Sequence, residues 1–386
     1  MEAISEFFSG TGFALLFQGG NWKMLIMIAV ACFLLYLAIV KKYEPLLLLP
    51  IAFGMLLANL PGAGLLDPPS EFNNNVGGLL YYLDYGVKLG IYPALIFLGV
   101  GAMTDFGPLI ANPKSLILGA AAQIGIFLAF LLALALGFPA EAAASIGIIG
   151  GADGPTTIFT TSRLYPTLIG TITIAAYSYM ALVPIVQPPV IRAITTKKER
   201  CIKMPYKPSS ISHTTRILFP IIVTVVAGTI APKSAELIGF LMFGNLIREC
   251  GVLKSLSDSA QNQLANLITL VLGISVAFKM RAELFVTTAT LAIIGLGPVA
   301  VIFDTVGGVM FAKFINLFSK NKVNPMIGAA GISAFPMSSR VVHKMGLKED
   351  PHNFLLMHAA GANVSGQIAS VIAGGLIITL VEAIIG

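Results

Sequence analysis

Long apolar runs follow one another along this chain, separated by short polar joints. Met24 to Val40 is the first run, stopped by Lys41 and Lys42, and Pro45 to Leu60 is a shorter second, ending at Pro61-Gly62. Residues 61–86 hold Asp67-Pro68-Pro69, Asn73-Asn74-Asn75 and Asp84, and they read as a turn-rich extramembrane segment. It lies opposite the Lys41 joint if both preceding runs span a bilayer. Lys88 to Met103, Ser115 to Leu136, Ala140 to Arg163 and Leu168 to Val186 come next. After a polar connection at 191–216, Ile217 to Ala231, Ser234 to Ile247 and Leu264 to Phe278 predict further spans. Leu284 to Ile294 and Pro298 to Phe318 follow, divided by Gly295-Leu296-Gly297-Pro298, and His358 to Ile385 closes the chain. Crossing a hydrocarbon core takes about 20 apolar residues, so this pattern predicts an all-α polytopic membrane protein.

Two stretches break the pattern from within. In the first, Gly150-Gly151-Ala152-Asp153-Gly154-Pro155-Thr156-Thr157 interrupts an apolar tract with helix breakers and one carboxylate. Open backbone at membrane depth is tolerated only where it faces protein or a water-filled cavity. A charge there is costly and marks a functional site by default. The plainer alternative is a surface loop with a solvated aspartate, and the hydrophobic sequence on both sides of Asp153 argues against it. The second stretch, Asn324 to Arg340, contains Gly328, Gly331, Ser333, Pro336 and Ser338-Ser339-Arg340. Asp153, Pro155 and Thr160-Thr161-Ser162-Arg163 in the first run parallel Ser333, Pro336 and Ser338-Ser339-Arg340 in the second, although the spacings differ. This weak internal repeat suggests inverted repeats with broken helices or re-entrant hairpins, as in elevator-type transporters. The halves are then 1–190 and 217–386, joined by the basic loop 191–216.

Composition sharpens this. The 386 residues are 56% hydrophobic and only 11% charged, too poor in charge for a soluble fold of this size. The net charge of +6 is therefore a topology signal, with no nucleic-acid partner implied. The 191–216 loop holds Arg192, Lys197, Lys198, Arg200, Lys203, Lys207 and Arg216 against the single acid Glu199, which places it in the cytoplasm. Cys32, Cys201 and Cys250 show neither a disulfide framework nor zinc spacing. The start of the chain lacks a basic signal-peptide region, and Ile4, Phe7 and Phe8 suit a short interfacial helix.

A hard monovalent cation such as Na+ takes oxygen ligands from broken-helix carbonyls, hydroxyls, amides and a carboxylate. Asp153, Thr156, Thr157, Asn324, Ser333, Asn363, Ser365 and Gln367 offer them. Each hydroxyl or amide alone could equally bond a neighbouring helix. Tyr179 fits an aromatic belt or a hydroxyl reaching the cavity. Arg340 could bind a carboxylate or mark the cytoplasmic edge. Glu141 suits a helix start, Arg281 and Glu283 a turn between spans, and Asp304, beside Gly307-Gly308, is a second-rank candidate for the ion path.

Gly150 to Thr156, Asn324 to Arg340, Gly361-Ala362-Asn363-Val364-Ser365-Gly366-Gln367 and Gly101-Ala102-Met103-Thr104-Asp105-Phe106-Gly107-Pro108 together resemble the beta subunit of biotin-dependent, sodium-pumping decarboxylases. Those complexes act on oxaloacetate, methylmalonyl-CoA or glutaconyl-CoA. The resemblance implies that this chain decarboxylates carboxybiotin presented by a partner carrier protein, takes up a proton and exports Na+ across a bacterial inner membrane. It implies an ion site at Asp153, ion and proton-path residues at Asn324, Gly328 and Ser333, a functional Tyr179, and Arg340 near carboxybiotin. It also implies a carboxyltransferase alpha subunit, a small gamma subunit and a homotrimer. Asn363 joins the ion ligands from its place in the third motif. The acid decarboxylated would be chosen by the soluble partner. A sodium-coupled carboxylate symporter of the elevator type, without chemistry, is the main rival, and a mere membrane anchor has no use for Asp153.

Overall fold

The computed structural model describes residues 11–16, 21–42, 45–205, 211–282 and 288–386, all helix and connection. Among the described residues, six helices are long and apolar enough to cross a membrane, or up to eight if each of two sharply bent pairs is one span. The chain is a multi-pass membrane protein. The helices used below are α1 (Trp22–Ile39), α2 (Pro45–Ala58), α3 (Leu79–Lys88), α4 (Ile91–Met103), α5 (Lys114–Ala122), α6 (Ile124–Ala135), α7 (Ala140–Gly147) and α8 (Gly154–Leu164). They continue with α9 (Ile169–Ile194), α10 (His213–Ile230), α11 (Ala235–Glu249), α12 (Lys254–Lys279), α13 (Thr288–Phe318), α14 (Met326–Ala329), α15 (Met337–Glu349) and α16 (Leu356–Ile385). Isolated faces remain apolar and exposed, for example Ile221, Ile222 and Val225 on α10. Such a surface belongs in lipid or against other chains.

Several expectations are corrected. The turn-rich stretch ends earlier than expected, because Leu79–Lys88 is helical and joins α4 through Gly90 at a 63° bend. Gly90 takes φ +77, a left-handed conformation open to glycine, and this lets the chain turn within two residues. The run expected at Ser115–Leu136 is one span, Lys114–Ala135, with a one-residue lapse in helix geometry at Gln123 between α5 and α6. The span expected from Leu264 begins at Lys254, and α9 and α10 extend into the 191–216 connection, narrowing it. No break occurs at Gly295 to Pro298: α13 runs unbroken through Pro298. Proline removes the N–H that would bond the carbonyl four residues back, Ile294. The Tyr179 hydroxyl donates to that carbonyl instead, so the helix continues without an orphaned acceptor. The helix expected around Ile4, Phe7 and Phe8, like Glu283 and Lys207, lies outside the described residues.

The two interrupted stretches each fold back on themselves. α7 descends beside α6, with Gly147 against the Ile126 carbonyl and Phe130. A 3-10 turn (Ile148–Gly151) and a left-handed Ala152 (φ 52) reverse the chain. α8 then returns, and Arg163 near its end pairs with Glu236 of α11. The second stretch is tied at both ends to one place. The Asn324 amide donates to the Arg200 and Ile202 carbonyls (2.8 and 3.0 Å), and Arg200 Nε pairs with Glu349 at 2.8 Å. Between these ends, α14 leads in, residues 330–336 are irregular, and α15 leads out.

The two turns meet. The Ser333 N–H donates to the Gly151 carbonyl at 3.0 Å. Ile148, Ile149, Ala152, Ile332 and Ala334 share one hydrophobic cluster with Ile126 of α6, Ile172 of α9 and Ile377 of α16. The carbonyls freed by the second turn are claimed by amides: Gln123 Nε2 donates to Gly331 (3.2 Å) and Asn363 Nδ2 to Ile332 (2.7 Å). The approach needs glycine. A Cβ on Gly366 of α16 would collide with the Gly331 carbonyl oxygen, whereas one on Gly239 of α11 meets nothing within 4 Å. Gly366→Ala is expected to destabilise the purified protein by about 1–3 kcal/mol, the cost of forcing overpacked groups apart. Gly239→Ala leaves stability unchanged or raises it; thermal unfolding in detergent compares the two.

Candidate functional site

Asp153 stands where the two turns meet. It caps α8 from the N-terminal side with an extended backbone, and the helix follows because Pro155 is compatible with its first turn. Its side chain is 7% exposed. Oδ2 accepts from the Thr156 and Ser370 hydroxyls, each at 2.7 Å, while Oδ1 takes the long Thr156 N–H bond at 3.4 Å. The Ser333 hydroxyl also interacts with the carboxylate. Among the described residues no lysine, arginine or histidine pairs with it. Hydroxyls and the positive end of α8 therefore bear the negative charge without cancelling it.

Other acceptors nearby lack donors. Gln123 Oε1 and Asn363 Oδ1 are buried with no hydrogen-bond partner among the described residues, although the amide nitrogens of both hold the second turn. A Cβ on Gly151 would come within 3.3 Å of Gln123 Oε1 and 3.5 Å of Ser370 Cβ. Glycine therefore leaves the space between them open. A carboxylate, hydroxyls and donor-free amide oxygens form a set suited to a hard monovalent cation.

The remaining expected residues separate into those at this meeting point and those elsewhere. Asp153, Thr156, Ser333 and Asn363 gather there. Thr157 turns its hydroxyl to the Asp153 carbonyl (2.7 Å), closing the helix start. Ser365 bonds the Leu116 carbonyl and Gln367 accepts from Thr104, both helix-to-helix contacts. Asn324 lies at the base of the second stretch, its amide on Arg200 and Ile202 and its oxygen on the Met326 N–H. Gly328 provides a backbone crossing with Gly308 of α13. Tyr179 reaches α13, its hydroxyl on Ile294 and its ring over Gly297. Asp304 is fully buried beside Gly125, with neither oxygen hydrogen-bonded among the described residues.

Arg340 occupies a separate groove between α9 and α15. Pro184, Pro188, Met337, Val341 and Met345 line it, together with Arg192, Arg340, Lys344 and Lys348, around a cavity of about 420 Å³. Met337, at its inner end, packs against the same cluster that buries the two turns. Ser338 fastens that end, its hydroxyl 3.0 Å from both Gln187 Oε1 and the Ala329 carbonyl, either of which accepts its one proton.

Comparison with known proteins shows the family of the chain. Residues 23–381 match the family described as the Na+-transporting oxaloacetate decarboxylase beta subunit. This chain belongs to that family. It is 53% identical to the methylmalonyl-CoA decarboxylase subunit beta of Propionigenium modestum, over 98% of this chain and 99% of the relative. It is 50% identical to the glutaconyl-CoA decarboxylase subunit beta of Acidaminococcus fermentans, over 95% of each. Against the oxaloacetate decarboxylase beta chain of Klebsiella pneumoniae the identity is 44%, over 99% of this chain and all of the relative. The chain is thus the beta subunit of a sodium-translocating, biotin-dependent decarboxylase complex.

Sequence reasoning missed three residues of this beta subunit's site. Ser370 lies three residues past Gln367, where the motif was taken to end. Gln123 was a lone amide inside an otherwise apolar run, a signal as good as any hydroxyl considered. Tyr177, two residues before Tyr179, places its ring and hydroxyl against Gly154 at the start of α8. A hydrogen bond to a charged group contributes about 1.5–3 kcal/mol. Ser370→Ala is therefore expected to raise the Na+ concentration for half-maximal turnover roughly tenfold or more, read from sodium titrations of the assembled complex.

Proposed function

We propose that this subunit removes CO2 from carboxybiotin carried by a partner protein and couples the step to export of Na+ from a site at Asp153. The carrying observation is adjacency. The apolar inner end of the Arg340 groove and the meeting point of the two turns share one packed cluster. Each step must balance: the N–CO2 bond breaks, CO2 leaves, and the ureido nitrogen recovers a proton. The Arg340 guanidinium pairs with the carboxylate while it is present. Its departure leaves that cation without a partner at the edge of the cluster that holds the turns. Asp153 and Ser333 hold Na+, and a proton arriving at Asp153 or Tyr179 expels it. Moving one charge outward against 100 mV costs about 2.3 kcal/mol before any concentration gradient, so release of the ion must be tied to decarboxylation.

We read alternating access into the order of the elements. α5–α6, the α7–α8 turn-back and α9 form one unit, and α13, the α14–α15 turn-back and α16 form another in the same order. The first turn-back ends at Arg163, which pairs with Glu236, and the second starts and ends near Arg200. We read them as re-entrant hairpins of inverted repeats entering from opposite faces, the moving core of an elevator. The end rich in Lys41, Arg200, Arg248 and Lys344 faces the cytoplasm of a bacterial inner membrane. α4 and α11 belong to the scaffold, packed so closely that Gly101 and Gly244 each lie against the other helix's backbone.

The working complex comprises a biotin carrier, a carboxyltransferase alpha subunit and a small gamma subunit, with this chain as a trimer. Relatives at 44–53% identity bear the names of three different acids. Choice of acid therefore rests with the carboxyltransferase and not with this subunit.

Asp153→Asn is expected to abolish sodium-dependent decarboxylation and 22Na+ uptake into inverted vesicles; sodium-stimulated turnover by that variant would remove the ion site. Arg340→Ala is expected to lose carboxybiotin processing by at least about a hundredfold, the scale of a lost charged pair, while sodium binding persists. Unchanged decarboxylation by this variant would take its role away. CO2 release from carboxybiotin by the complex, with and without Na+, also separates this reading from a symporter, which releases none.

A further inference from the structure

The groove that holds Arg340 carries more positive charge than one carboxylate needs. Arg340, Lys344 and Lys348 are all exposed and recur every four residues on α15, about 6 Å apart along its axis. Arg192, also exposed, faces them from the end of α9. None of the four pairs with an acid among the described residues. At the same end of the molecule, Arg200, Lys203, Arg216, Arg248 and Lys313 each have one: Glu349, Asp350, Glu249, Glu249 and Glu199. The distribution along the groove is ordered. Pro184 and Met337 make the apolar inner end, Arg340 stands one turn further out, and Arg192, Lys344 and Lys348 ring the mouth. Like charges held this close repel one another, so a cluster left without counter-charges is destabilising for the free protein.

Resting on the reading of Arg340 as the carboxybiotin residue, we infer that Arg192, Lys344 and Lys348 form a docking rim for an acidic face of the biotin-bearing carrier protein. A biotin carboxylated at its ureido nitrogen brings one negative charge, which Arg340 answers. Whatever brings it must cross the mouth, and a partner with carboxylates around its biotinylated lysine would neutralise the rim as the substrate enters. Rim charges of this kind accelerate encounter and fix orientation, and their effect fades as salt rises. The rim acts on delivery, leaving bond breaking to the residues further in.

The test uses the decarboxylase complex in proteoliposomes, supplied either with carboxylated carrier protein at varied concentration or with free carboxybiotin. The double variant Lys344→Gln, Lys348→Gln is expected to need about tenfold more carrier for half-maximal rate at low salt. Its half-saturation should also depend less on salt, while its maximal rate and its rate on free carboxybiotin match the unaltered complex. Unchanged half-saturation and salt dependence would overturn the docking rim while leaving the role of Arg340 intact. A shift seen only in vesicles containing anionic lipid would assign the rim to the membrane surface and likewise overturn it. Loss of free carboxybiotin turnover would show that the lysines act within the reaction site, again against a delivery role. Failure of the unaltered complex to turn over either form of carboxybiotin would overturn the underlying function instead.

Discussion

A carboxylate without a cationic partner, enclosed where dielectric screening is weak, is the constraint from which the rest of the molecule follows. Charge in such a place is tolerated only when many dipoles converge on it or a cation joins it. Around Asp153 the convergence is partial: two short hydroxyl bonds, a longer backbone bond and a helix start. To bring these together inside the bundle the chain must stop being helical in two places. Each stop exposes carbonyls and N–H groups that lipid cannot satisfy. The Ser333-to-Gly151 bond lets one opening satisfy the other, and the Gln123 and Asn363 amides take the rest.

Those amides also explain why the surroundings are built of small residues. An amide spends its nitrogen on a carbonyl and keeps its oxygen without a donor among the described residues, so the groups that hold the turn also crowd it with acceptors. It works only if backbones come within reach, and Gly366 against Gly331 and Gly308 against Gly328 are where they do. The stretch from Gly361 to Gln367 is thus a packing motif. Glycine there sets the distance and asparagine uses it.

Much of this was legible in the chain. Apolar runs located the helices, because hydrophobic length is dictated by the bilayer, and glycine beside proline located both turns. What could not be read was pairing across distance. Tyr179 and Pro298 are remote in sequence, and only folding reveals that one hydroxyl replaces the bond the other residue deletes. For the same reason α13 was expected to break, since a local rule about proline was overridden by a tertiary donor. Asn324 has the chemistry of a ligand, but its oxygen and nitrogen are already engaged at the base of its own loop. Ser370 escaped because a serine in a small-residue helix is ordinary until something faces it. The four cations of the groove, Arg340 among them and none paired with an acid among the described residues, were split between two segments of sequence, and their convergence is a property of the groove.

The tether at Arg200 to Ile202 has a mechanical consequence. This short piece of the connection between the two halves receives both Asn324 and Asn353 and pairs with Glu349. The incoming and outgoing limbs of the second turn are therefore pinned to one anchorage, while its tip is held separately, by the Ser333 N–H on Gly151 and by the Gln123 and Asn363 amides. Any displacement of this linker between the halves is thereby passed to both limbs of the second turn at once.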